Sequence, residues 1–381
     1  MNRKKNLGIL YRYELIKILK NKVAILTFLI LFAYTFIQGE FEIRGNVDLS
    51  EWEMYKTLND REIDNTLLSE LVSVSDGSGH IINDNNKAYE DLGYLVQDIT
   101  GYGISYDDLD ESTLYAAREK TIAEAHELAH LTKEEELFWQ ERENTLGKPF
   151  VYHDTVITSG ILEGISNYMI MLLIIIATGL SSVFAMETQR KTDPMIRASL
   201  NGCKELYFAK VLAGMSYIIV CTLMLLSTYY LYIGIRWGLD GISSPIQIYR
   251  PYSQMNLSVV QLSGILIMLT LLGSALISSF ALFISNTTRN SLASMAVIIG
   301  THLALFALPT MIPYSLRTLS QFLSLLPATL VSSRLVYEFR LVRLGRFLYC
   351  YQAAPMLYLI LTAIFTIAGY SVYKRHEIKS N

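Results

Sequence analysis

Charge is scarce in this chain. Asp, Glu, Lys and Arg make up 18% of its 381 residues and hydrophobic residues 51%, against about a quarter charged in an ordinary soluble protein. That balance excludes a wholly water-soluble fold. Cysteine is scarcer still: Cys203, Cys221 and Cys350 are the three present, and none lies in the polar segment that follows the first apolar run, so no disulfide framework holds that segment together. The sequence contains no Gly-x-x-x-x-Gly-Lys-[Ser/Thr] loop to cradle a nucleotide phosphate. Its apolar runs hold almost no ionisable groups besides Glu163 and His302, fewer than an ion-coupled transporter or a proton pump uses. There is no long-period repeat and no low-complexity linker. The first apolar run follows a basic segment but lacks a small-residue cleavage site, so a retained span rather than a signal peptide is expected.

What is present are six apolar runs. A hydrocarbon core of about 30 Å needs roughly 20 apolar residues as helix, and spans are expected at 23–38, 157–185, 211–235, 258–284, 291–312 and 354–373. The fold class expected is an all-α polytopic membrane protein with six transmembrane helices. An amphipathic helix at 1–22 precedes them, with Leu7, Tyr11, Leu15 and Ile18 on one stripe, and suits the membrane interface. The polar turn at 285–290 predicts a tight hairpin between the fourth and fifth spans.

The charges are unevenly placed. Residues 40–154 carry 27 of the 35 acidic residues and 9 of the 32 basic ones. This marks 39–156 as a separate water-facing module, expected to be mostly helical with one long helix from Ser112 through Glu143. Lysines and arginines cluster before the first span, in the loop 186–210 and in the tail 374–381. By the positive-inside rule those segments, and both termini, face the cytoplasm of a plasma membrane. The module, the loop 236–257 and the segment 313–353 then face outward. Arg317, Arg334, Arg340, Arg343 and Arg346 fit poorly on that side. A re-entrant or interfacial structure around Ser320 to Leu335, whose apolar run is broken by Pro327, would soften the conflict.

Two sets of residues could carry chemistry in opposite directions. His126-Glu127-Leu128-Ala129-His130 places two imidazoles four apart, which on a helix puts them on one face for zinc with Glu127 as general base. Glu143 or His153 would be the third ligand of such a membrane-anchored zinc metalloprotease. Glu124 and Thr132, however, depart from the wider pattern, and Lys133-Glu134-Glu135-Glu136 reads as a solvated helix, so a plain helix surface is the favoured reading. Within the spans, Glu163, His302 and Pro327 are candidates for a translocation path, although interfacial snorkelling of Glu163 and an interhelical hydrogen bond of His302 are the favoured readings, and Gly160, Gly164 and Gly273 permit close helix contact.

The loop beyond the second span carries a resemblance. Glu187, Arg190, Lys191, Thr192, Gly202, Lys204, Leu206 and Lys210 stand in the order found in type-2 permeases of ATP-binding-cassette exporters, with Asp193-Pro194 where a Gly is common and Asn201-Gly202 in place of a Pro-containing turn. The chain's layout is similar throughout: interfacial helix, six spans, tight turn and a proline-broken segment before the last span. The resemblance implies a bacterial permease subunit that moves an amphiphilic, peptide or antibiotic-like substrate out of the cell. It implies a homodimer, or a pair with a related permease, and separate ATPase subunits that carry the ATP and magnesium and press on the loop at Glu187, Arg190, Lys191, Thr192, Asp193, Pro194, Gly202 and Lys204. The chain itself would bind no cofactor, hydrolyse nothing and meet no nucleic acid. A non-transporting antibiotic sensor is the remaining alternative.

Overall fold

The computed structural model describes residues 3–45, 49–76, 79–100, 106–192, 195, 203–313, 316–336 and 338–375. Helix α1 (Arg3–Leu19) leads into α2 (Lys22–Arg44) through Asn21, whose side chain accepts a hydrogen bond from the Val23 amide at 3.1 Å and caps α2. The acidic module follows as α3 (Leu49–Tyr55), α4 (Asn65–Val74), α5 (Glu90–Thr100), α6 (Glu111–Leu128) and α7 (Lys133–Glu143). The bundle resumes with α8 (Val156–Leu180), α9 (Ser182–Gln189) and α10 (Lys204–Arg236). After the short α11 (Ile246–Tyr249) come α12 (Val259–Thr288) and α13 (Ser291–Met311), then the short helices α14 (Arg317–Ser324) and α15 (Pro327–Leu330). A two-stranded antiparallel hairpin, β1 (Leu341–Leu344) and β2 (Arg346–Tyr349), turns at Gly345 with φ of 73° and feeds α16 (Cys350–Arg375).

Among the described residues six helices are long and apolar enough to cross a membrane: α2, α8 with α9, α10, α12, α13 and α16. They match the six apolar runs, and most run past the expected ends, although α13 closes at Met311, one residue short of its expected end. The first continues to Arg44, because Gln38 and Gly39 pack inside the bundle instead of ending the helix. Gln38 donates through Nε2 to the Gly164 carbonyl at 3.1 Å.

The polar stretch expected as the turn 285–290 is mostly helix. Ser285 Oγ donates to the Ser181 carbonyl at 2.8 Å and accepts from the Phe184 amide at 3.1 Å, filling the break between α8 and α9. Asn286 Nδ2 donates to the Gly369 carbonyl of α16 at 2.9 Å. Polar side chains in hydrocarbon find partners in neighbouring helices, and here that leaves only Arg289, with φ of 57°, and the capping Asn290 to make the turn.

Glycines set the closest approaches. A Cβ on Gly160 would stand 3.0 Å from Ile43 Cγ1, and one on Gly164 would collide with the hydroxyl of Tyr229. Tyr229 is fully buried and donates to the Gly160 carbonyl at 2.7 Å. On α12, a Cβ on Gly273 would stand 3.0 Å from Pro327 Cβ. Gly273 is 14 residues from one end of α12 and 15 from the other, so the short helices α14 and α15 bring Pro327 to mid-length of the bundle.

The module has its own core of Leu67, Leu68, Leu71, Leu92, Val96 and Tyr152, which also takes Ile248 from the loop 236–257. The single helix expected over 112–143 is two. The first ends at Leu128, and Thr132 and Glu135 form a capping box that starts the second.

Candidate functional site

At one end of the bundle lies a cluster of four charges, three of them buried and the fourth, Lys17, half exposed. Lys210, in the first turns of α10, is fully buried. Its Nζ reaches Glu187 Oε1 at 2.7 Å, Glu14 Oε2 at 3.2 Å and the Val183 carbonyl at 3.1 Å. Lys17 Nζ contacts the same two carboxylates, Glu14 Oε1 at 2.8 Å and Glu187 Oε1 at 2.9 Å. Two acids and two bases therefore balance, and they come from three elements: α1, the end of α9 and the start of α10. Taking charges out of water is costly unless each is paired and hydrogen-bonded, and here each is. The stripe Leu7, Tyr11, Leu15 and Ile18 turns α1 toward α10 and brings Glu14 and Lys17 to the cluster, while Ile9, Tyr13 and Ile16 remain exposed.

Among the loop residues singled out by sequence, Glu187 thus points inward and is 7% exposed. Thr192 closes the helix end: its amide donates to the Glu187 carbonyl at 3.0 Å, after a left-handed Lys191 with φ of 55°. Arg190, Lys191, Thr192 and Lys204 are exposed at the same end. Asp193, Pro194 and Gly202 lie outside the described residues, as do 196–201 and the tail from 376.

The His126 segment is built differently from a zinc helix. His126 is on the last turn of α6 and 7% exposed, its Nε2 hydrogen-bonded to Gln254 Oε1 at 2.8 Å and its ring edge-to-face with Phe339 at 4.6 Å. Burial holds its imidazole below the usual histidine range, although Gln254, Glu136 and Glu143 pull the other way. It is an anchor for the loop 236–257 and not part of a solvated surface. Helix α6 ends before His130, which has φ of 51° and is exposed together with Glu127. The shared helical face that a His-Glu-x-x-His site needs is therefore not formed. Glu143 pairs with Arg118 and with Lys148 at 3.0 Å, and His153 lies 3.4 Å from Asp154. Among the described residues no three His, Cys, Asp or Glu are grouped to hold a metal ion.

Of the path candidates, the structure brings together His302 and Pro327, which line one cavity, and places Glu163 elsewhere. Glu163 accepts from the hydroxyl of Tyr249 and from Arg250 Nη2, the latter at 2.8 Å, both from the loop 236–257. No family model matches the chain, and comparison with curated proteins and with solved structures gives no match.

Several residues that organise these regions carry no sequence signal of their own. Arg118 is fully buried in the module, where Nε donates to the Pro251 carbonyl at 2.7 Å, Nη2 to the Ser253 carbonyl at 3.0 Å and Nη1 to Glu143. Two of the five badly placed arginines find the acidic helix α7: Arg317 pairs with Glu135 and also donates to the His130 carbonyl at 2.7 Å, and Arg343 reaches Glu134 at 2.8 Å. The charge mismatch along the sequence was itself the clue, since arginines beside a strongly acidic module have partners there.

Proposed function

We propose that this chain is the permease subunit of a bacterial ATP-binding-cassette exporter in the plasma membrane, with both termini cytoplasmic. It moves an amphiphilic or peptide-like substrate outward, as a homodimer or with a related permease, and separate ATPase subunits supply the work. The observation that carries this reading is the buried Lys210 cluster. It makes α1, the loop base and the third apolar helix one unit, so a push on 186–210 is felt by three helices at once. The exposed Arg190, Lys191 and Lys204 at that end favour a cytoplasmic side and offer cations to a partner. Pro327 at mid-length of α12 supports a re-entrant segment within the translocation region, because irregular backbone at that depth is tolerated where protein covers it.

Co-purification from native membranes tests the proposal. A nucleotide-binding subunit is expected to accompany the chain and to be lost with Arg190→Glu combined with Lys204→Glu, while the variant chain stays monodisperse. Substrate movement into inverted vesicles by the purified chain without ATP or a second subunit would overturn it.

A further inference from the structure

An open-sided cavity of about 180 Å3 lies between α12, α13, α16 and the short helix α15. Helix α13 lines it with Ile298, Thr301, His302 and Leu305, positions that share one face at helical spacing. Phe280 of α12 and Phe365 of α16 both line it and meet edge to face with centroids 5.3 Å apart. Pro327 adds a wall from α15, held against the glycine of α12. The lining is hydrocarbon almost throughout.

His302 is the exception. It is 8% exposed, and neither ring nitrogen has a hydrogen-bond partner among the described residues. The imidazole is a polar group without a protein partner among the described residues of an apolar lining, and an ionisable side chain inside an apolar helix is by default a functional-site candidate. Water is a poor remedy, since a buried water needs about three hydrogen bonds and this lining offers only the imidazole and the Thr301 hydroxyl. An apolar cavity with one or two convergent polar groups is instead the usual form of a small-molecule site. Its size suits one aromatic ring, given that an apolar cavity of about 150 Å3 takes up benzene.

We propose that this cavity binds a neutral amphiphile, with an aromatic or compact aliphatic group against Phe280 and Phe365 and a hydroxyl, carbonyl or amide on the His302 imidazole. The site lies beside the segment assigned above to the translocation region, but binding here needs neither an ATPase nor transport, so its test and that of the exporter reading can fail separately. The test uses the full chain in lipid nanodiscs and two photoreactive probes, a diazirine-bearing benzyl alcohol and its toluene analogue without the hydroxyl, with adducts mapped by mass spectrometry. The alcohol is expected to label Phe280, Leu305 and Phe365 and to be displaced by excess benzyl alcohol. His302→Leu should cut labelling by the alcohol about fivefold or more while sparing the toluene analogue, and Ala328→Phe, which fills the cavity and keeps the imidazole, should cut both. Labelling spread evenly onto the exposed Leu359 and Ile367 would overturn the proposal. So would equal labelling by the two probes, or indifference of the labelling to both variants.

Discussion

Lys210 and Arg118 are both fully buried cations, yet they are held in different ways. The ammonium of Lys210 sits among two carboxylates from separate helices and one carbonyl. The guanidinium of Arg118 spends two of its donors on the carbonyls of Pro251 and Ser253 and one on Glu143. A compact point charge joins rigid helices by electrostatics, whereas a planar fork matches the fixed directions of an irregular loop's carbonyls. The first arrangement ties together three helices. The second pins a loop onto a separately folded module.

The largest effect should come from Lys210→Ala. It leaves Glu14 and Glu187 buried with only the half-exposed Lys17 between them, and breaking a buried pair in this way costs about 3–5 kcal/mol. Thermal unfolding in detergent would read the loss, and Lys210→Met with Glu187→Gln should recover part of it. A loss under about 1 kcal/mol for the single variant would remove the network from its structural role.

Arg118→Ala should cost less, about 2–3 kcal/mol, because Lys148 stays 3.0 Å from Glu143 and keeps that carboxylate paired. Arg118→Lys separates the two modes of holding. It should keep most of the Glu143 pairing yet raise hydrogen exchange in 250–255, since an ammonium cannot reproduce the fork. Unchanged exchange would make Arg118 a simple charge partner like Lys210.

Acid should act on the module in two windows. His126 titrates lower in the folded state than in the unfolded one, so the unfolded chain binds the proton first and stability falls as pH drops below about 6.5. Burial opposes ionisation of Glu143 and Glu135, but for Glu143 the Arg118 and Lys148 cations, and for Glu135 the Thr132 and Arg317 donors, outweigh it and hold both carboxyls below the usual range. Their contribution is present above about pH 4.3 and is lost as pH falls through the folded values. Protection of 246–257 against hydrogen exchange, corrected for the fall of the intrinsic rate with pH, should therefore drop between pH 7.5 and 5.5 in the native chain, and His126→Gln should flatten that first window. The smallest effect is expected at Arg343→Ala. Both partners of its pair with Glu134 are well over half exposed, so the change should stay within about 0.5 kcal/mol by the same unfolding measurement.

Much of this was legible in the chain, for identifiable reasons. The apolar runs announce their helices because hydrocarbon thickness sets a minimum length, and the stripe on α1 announces its packed face. Thr132-Lys133-Glu134-Glu135 already spelled a helix start that contradicts one continuous helix over 112–143, and the alanine-rich and glutamate-rich composition obscured it. Ser285 and Asn286 read as a turn because polar residues outside a membrane usually mark one, whereas inside a bundle they bridge helices. His126 read as surface because a local pattern cannot show that a loop 128 residues further on supplies its partner, Gln254.

The sequence by itself determined which segments are apolar enough to cross a bilayer, that a strongly acidic stretch follows the first of them, and how the basic residues are distributed, because these depend on composition over a window of the chain. Only the tertiary structure decided which charges are buried and which paired. Glu14 with Lys210, Arg118 with Pro251 and His302 with Pro327 are joined across long stretches of chain, and burial, pairing and cavity volume arise from how helices pack rather than from any one helix alone.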